Sequence, residues 1–137
     1  MKILLVEDDT MLNEMISEYI TSTGHVIKSA KSGNESLEIL NKEKFDLLIL
    51  DINLPDIDGF TILEKMHEQK RMIPTIYISA LIDIEDISRA FDLGCFDYLK
   101  KPFHLKELTL RINKILKTRI VPQTLKRLSK HYSFDSE

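Results

Sequence analysis

The chain has 137 residues, 43% of them hydrophobic and 30% charged, with a net charge of −3, enough for one domain that buries about 68 to 70% of its unfolded surface around a single core. The only cysteine, Cys95, cannot pair within the chain, and the four histidines (His25, His67, His104, His131) show no zinc-ligand spacing; this excludes a disulfide or zinc scaffold and fits a reduced, cytoplasmic setting. No apolar run approaches the roughly 18 residues of a membrane span, and Met1-Lys2-Ile3-Leu4-Leu5-Val6-Glu7 turns acidic too early for a signal peptide, so no membrane association is expected.

In chain order, Ile3 to Val6 reads as a first buried strand, and Met11, Leu12, Met15, Ile16, Tyr19 and Ile20 then recur at helical spacing up to Gly24. His25 to Ala30 is a second strand, and Ser32-Gly33-Asn34-Glu35 is a capping-box signature opening a helix that buries Leu37 and Leu40. Leu47 to Leu50 is an unbroken apolar run, as in a strand covered on both faces, and it ends abruptly at Asp51. Asn53, Pro55, Asp56, Asp58 and Gly59 then spell a turn-rich loop, followed by a helix marked by Phe60, Ile62, Leu63 and Met66. Beyond Pro74, Thr75 to Ser79 is a fourth strand, Asp83 to Leu93 a helix stopping at Gly94, and Phe96 to Leu99 a fifth strand. Leu105, Leu108, Ile112, Ile115 and Leu116 give a fifth helix its apolar stripe. The pattern fades after Thr118 into Arg119-Ile120-Val121-Pro122, so residues 1–118 are expected to form the domain and residues 119–137 a linker. Gln123 to Lys130 could continue as a short helix, and His131 to Glu137 reads like the beginning of a further element, which suggests part of a longer chain.

Five strands alternating with five helices predict an α/β fold: a doubly wound, flavodoxin-like parallel sheet of order 2-1-3-4-5. Strands 1 and 3 are then neighbours, and the crevice beyond their carboxyl ends gathers Glu7, Asp8 and Asp51. Two carboxylates about 4 Å apart repel by roughly 4 kcal/mol at an effective dielectric near 20, so three need a cation or a proton. Oxygen-only donors with room for water favour Mg²⁺, held by Asp8, Asp51 and the Asn53 carbonyl, with Glu7 reaching it through a water molecule. Taken singly, Glu7 or Asp8 would read as an acid near a helix start, where Asp9 or Thr10 can cap; the meeting with Asp51 favours a metal site. Ser79 and Lys101, at the ends of strands 4 and 5, add a hydroxyl and an ammonium, and together these groups form a receptacle for a transferred phosphoryl group. Tyr98 alone reads as a half-buried strand aromatic.

These residues, with Leu54-Pro55-Asp56-Ile57-Asp58-Gly59, Ser79-Ala80 and Tyr98-Leu99-Lys100-Lys101-Pro102-Phe103, resemble the receiver domain of two-component response regulators over about Met1 to Thr118. The resemblance implies that Asp51 accepts a phosphoryl group from a sensor histidine kinase or phosphotransfer protein. It also implies that Lys101 pairs with the phosphoryl oxygens ahead of a cis bond to Pro102, that Ser79 moves to bond the phosphoryl group, and that Tyr98 rotates inward behind it. Such a module is a switch rather than an enzyme. In the relatives with a winged-helix DNA-binding domain, phosphorylation drives homodimerisation through helix 4, strand 5 and helix 5. Asp97, Glu107 and Arg111 match that dimer face, whereas Ile87 and Phe96 stand where a base and an acid are expected. The output would be transcriptional, with DNA touched only by a C-terminal domain outside these residues, which contain no helix-turn-helix.

Residues after Glu107 carry seven basic against two acidic side chains, a net +5, leaving −8 on residues 1–107. A solvated basic helix face and linker explains this more simply than an anionic partner. A phosphohydrolase working through an aspartyl-phosphate is the alternative from another class. Enzymes resembling the haloacid dehalogenase group place a second aspartate two residues after the nucleophile, and Asn53 occupies that position.

Overall fold

Short apolar runs of high strand propensity become five parallel strands, each covered by the helix that follows it. The structure is a computed structural model and describes residues 1–80, 84–93 and 95–119. In chain order it comprises β1 (Lys2–Val6), α1 (Thr10–Ser22), β2 (Val26–Ala30), α2 (Gly33–Lys42), β3 (Leu47–Asp51), α3 (Gly59–Glu68), β4 (Thr75–Ser79), α4 (Ile84–Asp92), β5 (Cys95–Lys100) and α5 (Leu105–Arg119). All strand pairings are parallel and the order is β2-β1-β3-β4-β5, the doubly wound topology expected. The expected helix start at Asp83, the stop at Gly94 and everything proposed for residues 120–137 lie outside the described residues.

Alternation along the strands divides the core in two. Leu4, Val6, Leu48, Leu50 and Tyr77 face one side, where Leu40 of α2, Phe60 and Leu63 of α3 and Ala90 of α4 cover them. Ile3, Leu5, Leu47, Ile49, Ile76 and Leu99 face the other, under Ile16 and Ile20 of α1 and Leu108, Ile112 and Ile115 of α5. Full burial of each such side chain contributes about 1.5 to 3 kcal/mol, so this two-sided packing, rather than helix propensity, holds the elements together.

The helix starts follow their signals. Asp9 caps α1 by accepting the Leu12 N–H at 3.1 Å, Ser32 caps α2 through Glu35 N–H at 3.1 Å, and Asp58 caps α3 through Thr61 N–H at 2.8 Å. The box on α2 is displaced by one residue, because Glu35 reaches back to the N–H of Lys31 at 2.7 Å rather than to Ser32. On α1 the apolar stripe is narrower than its spacing suggests: Met11 and Met15 are 72% and 49% exposed. The buried polar residue is Asn13, whose Nδ2 donates to the carbonyls of Glu7 (3.0 Å) and Ala30 (3.4 Å), fastening the turn after β1 to the neighbouring strand.

Candidate functional site

Strand register alone brings the acidic residues together. Val6 lies opposite Leu50, so the next positions, Glu7 and Asp51, face each other where β1 and β3 end, and Asp51 pairs with Ile78, one residue before Ser79. Glu7 is fully buried and Asp51 is 3% exposed, while Asp8 is exposed at the mouth. Lys101 leans in from the end of β5, its Nζ 2.5 Å from Glu7 Oε1 and 3.1 Å from Asp51 Oδ2. Its backbone N–H donates to the Ser79 carbonyl at 2.8 Å, and its bond to Pro102 is cis.

The electrostatics follow from burial. Desolvation pushes the Glu7 carboxyl up to about 7 against the stabilising Lys101 ammonium and the Asp9 N–H, with the Asp51 charge adding to the rise. Burial works against the Lys101 ammonium too, but Glu7 and Asp51 outweigh it and hold its pKa above the ordinary lysine value.

The loop after β3 is tied to this cluster. Asn53 N–H donates to Asp51 Oδ1 at 3.0 Å, and the Asn53 side chain donates to Ser79 Oγ at 3.1 Å. That second bond had no sequence signal, since only the Asn53 carbonyl entered the expectation. The loop returns closely enough to β3 to require glycine at position 59: a Cβ there would stand 2.8 Å from the Asp51 carbonyl oxygen, and Gly59 N–H donates to Ile52 O at 2.9 Å.

One carboxylate oxygen each from Glu7, Asp8 and Asp51 lies within 4.8 Å of the others. Two buried acids sharing one ammonium, with a third acid at the solvent edge and no nitrogen or sulfur donor among them, fit a hard divalent cation.

A groove of about 420 Å³ borders Lys101, lined by Met11, Leu12 and Met15 of α1 and by Ala80, Pro102 and Phe103. The exposed methionines therefore flank the site instead of filling the core. Tyr98 lies apart from the carboxylates, packed with the α2–α3–α4 side of the core. Its hydroxyl is already buried in this structure and has no hydrogen-bond partner among the described residues; burial, with the Asp86 charge, raises its pKa. Asp97, Glu107 and Arg111 are also separate from the cluster and satisfy one another within the chain: Arg111 Nη1 lies 3.0 Å from both Asp97 oxygens, and Nη2 3.7 Å from Glu107. On α4 and α5, Ile84, Phe91 and Leu110 are 83%, 54% and 60% exposed.

A doubly wound sheet with an acidic cleft at its switch point and a lysine reaching in from the last strand defines a receiver-type α/β fold. The chain belongs to the response regulator receiver domain family, whose model matches residues 3–113. It is 39% identical over 114 residues to the transcriptional regulatory protein CrdR of Helicobacter pylori, covering 82% of this chain and 54% of that protein. Among solved structures, it resembles the receiver domain of the Francisella response regulator 1452 (TM-score 0.81, 30% identity, 86% of this chain and 98% of that one). It likewise resembles the BeF3-activated DrrB receiver domain (TM-score 0.76, 30% identity, 85% and 97%). The chain spans 50 to 61% of the length of the curated relatives it matches. Among the described residues, no helix is long and apolar enough to cross a membrane.

Proposed function

We propose that this chain is a phosphorylation-dependent switch in which Asp51 accepts a phosphoryl group from a sensor histidine kinase or phosphotransfer protein. The observation that carries the reading is the Lys101 ammonium shared between Glu7 and Asp51 at 2.5 and 3.1 Å in a buried acidic cleft. An Asp51 oxygen attacks phosphorus in line, forming the P–O bond as the P–N bond of the phosphohistidine breaks and the imidazole leaves with the bonding pair. Lys101 neutralises the equatorial oxygens. Asp8, Asp51 and the Asn53 carbonyl would hold Mg²⁺, with Glu7 assisting; when bound, the ion supplies further positive charge to the phosphoryl oxygens. The module assists its own phosphorylation and dephosphorylation without being an enzyme.

Ser79 and Tyr98 are the switch pair in this reading. Ser79, whose Oγ accepts from the Asn53 amide, donates its hydroxyl to a phosphoryl oxygen, and the change reaches the β4–β5 edge on which Tyr98 sits. Exposed Ile84 and Phe91 on α4 and Leu110 on α5, with Asp97, Glu107 and Arg111 on β5 and α5, support homodimerisation through α4, β5 and α5, where Ile87 and Phe96 replace the expected base and acid. The greater length and the name of CrdR, a transcriptional regulatory protein, support a transcriptional output; a winged-helix domain beyond residues 1–118, a linker from 119 and a cytoplasmic setting rest on the resemblance of the sequence alone. The phosphohydrolase alternative loses support because the amide of Asn53, where an acid–base aspartate would stand, is engaged with Ser79.

One experiment tests the set: treatment with acetyl phosphate and Mg²⁺, read by mass spectrometry, sedimentation and the Tyr98 amide resonance. The wild type should gain one phosphoryl mass at Asp51, sediment as a dimer and shift Tyr98, and Asp51→Asn should do none of these. A phosphoryl group on Asp51→Asn at the same position would sink the acceptor assignment. Phosphorylation without dimerisation, or without a Tyr98 shift, would sink the output face or the switch pair respectively.

A further inference from the structure

The loop that carries Asn53 is fastened to the site at its start and to α3 at its end, and a third attachment leads away from both. The Asp56 carboxylate accepts the N–H of Gly33 on Oδ1 at 2.8 Å and the N–H of Asn34 on Oδ2 at 2.7 Å. These are the first two amides of α2, which have no partner inside their own helix. Nor is Asp56 replacing a missing cap, since Ser32 already serves Glu35 N–H. A second contact of a different kind lies beside it: Ile57 packs so closely over Gly33 that a Cβ at position 33 would stand 2.2 Å from Ile57 Cγ1. Glycine at 33 and a carboxylate at 56 thus admit the loop onto the helix start by shape and by charge. Desolvation, which would raise the Asp56 pKa, is outweighed by the Asn34 and Gly33 N–H donors, which lower it, so the attachment is ionised throughout the neutral range.

None of the residues assigned to the acceptor site lies on α2, and Asn53 is separated from Asp56 only by Leu54 and Pro55. We propose that Asp56 is a positioning residue: by clamping the loop to the N-terminus of α2 it fixes the Asn53 backbone beside Asp51 and so sets the divalent-cation affinity of the carboxylate cluster. The inference rests on the reading that Asp8, Asp51 and the Asn53 carbonyl hold Mg²⁺.

Mg²⁺ titration by calorimetry, together with amide spectra of the metal-free chain, tests it. Asp56→Ala should weaken Mg²⁺ binding about tenfold, as loss of a supporting outer partner does at metal sites, and should move the Asn53 amide resonance before any metal is added. Asn34→Pro removes one donor from the opposite side, at a first-turn position where proline is tolerated, and should weaken Mg²⁺ in the same direction by less. Ser32→Ala loosens the start of α2 without touching Asp56 and should leave both the Mg²⁺ affinity and the Asn53 resonance unchanged. Wild-type Mg²⁺ affinity in Asp56→Ala, or an equal loss in Ser32→Ala, would overturn the positioning role while leaving the acceptor reading intact. A wild-type chain that takes up no Mg²⁺ would overturn both.

Discussion

Each edge of the sheet carries a lysine–carboxylate cluster, and the two are built in opposite proportions. Where β1, β3 and β5 end, one ammonium, Lys101, serves two carboxylates, Glu7 and Asp51. At the other edge one carboxylate, Glu43, serves two ammonium groups, at 2.8 Å from Lys2 and in contact with Lys28. Burial separates their chemistry. Glu7 has no solvent exposure and its pKa is pushed up to about 7, whereas Glu43, hydrogen-bonded by Lys2 and Lys28 and partly exposed, is held down at about 2. Excess positive charge in water is screened and has no further requirement. Excess negative charge behind apolar walls favours a proton or another cation, the bias that the proposed acceptor site would need to receive Mg²⁺ and a phosphoryl group.

The largest break in this contrast is Lys101→Met, which leaves Glu7 and Asp51 facing each other without a cation. Removing one partner of a buried ion pair costs about 3 to 5 kcal/mol. Urea unfolding at pH 8 in EDTA should show a loss of that order, and saturating Mg²⁺ should recover much of it. A loss that Mg²⁺ does not reduce would mean that Lys101 is not neutralising these two acids.

Next in size is the pH dependence. The folded chain binds a proton on Glu7 with a pKa of about 7 against the ordinary 4.5 of the unfolded chain, so between those values the folded state holds more protons than the unfolded state. Stability therefore falls as pH rises from about 4.5 through 7 and levels off above. Glu43 acts in the opposite sense: its pKa is lowered from 4.5 to about 2, so its contribution is present above 4.5 and lost as pH falls towards 2. Without divalent ions, Glu7→Gln should remove the upper slope and Glu43→Gln should reduce the lower one, which Asp56 shares. Mg²⁺ competes with the Glu7 proton, so it should stabilise the wild type more at pH 8 than at pH 5. Identical gains at the two pH values would contradict the coupling.

The two clusters also differ in how far they could be read from sequence. Glu7, Asp51 and Ser79 each stand at the end of a mostly apolar strand and Lys101 just beyond the last strand, directly before Pro102; one strand order places those ends side by side, so the local pattern and the topology suffice. Lys2, Lys28 and Glu43 follow no pattern, because an exposed ion pair needs only proximity. The attachment of Asp56 to α2 was hidden for another reason: its donors lie 23 and 22 residues away, and Ser32-Gly33-Asn34-Glu35 already looked complete as a capping box. On α1, 3.6-residue spacing does not say which of two adjacent stripes faces inward. Asn13 is buried because it bonds the Glu7 and Ala30 carbonyls, and this rotates Met11 and Met15 out beside the site.

The smallest effect sharpens the comparison most directly. Glu43→Gln should lower the urea midpoint at pH 7 slightly, and the difference should vanish in 1 M salt, where the screening length falls to about 3 Å. Lys2 keeps a second support there, its Nζ lying 5.1 Å from the Phe45 ring centroid, so its stem remains packed without Glu43. The Lys101→Met loss should persist in the same salt of monovalent ions, because screening acts through solvent and Glu7 and Asp51 are buried from it. If Glu43→Gln proved as costly as Lys101→Met, or equally indifferent to salt, burial would not be what distinguishes the clusters, and the bias assigned to the acceptor site would need another origin.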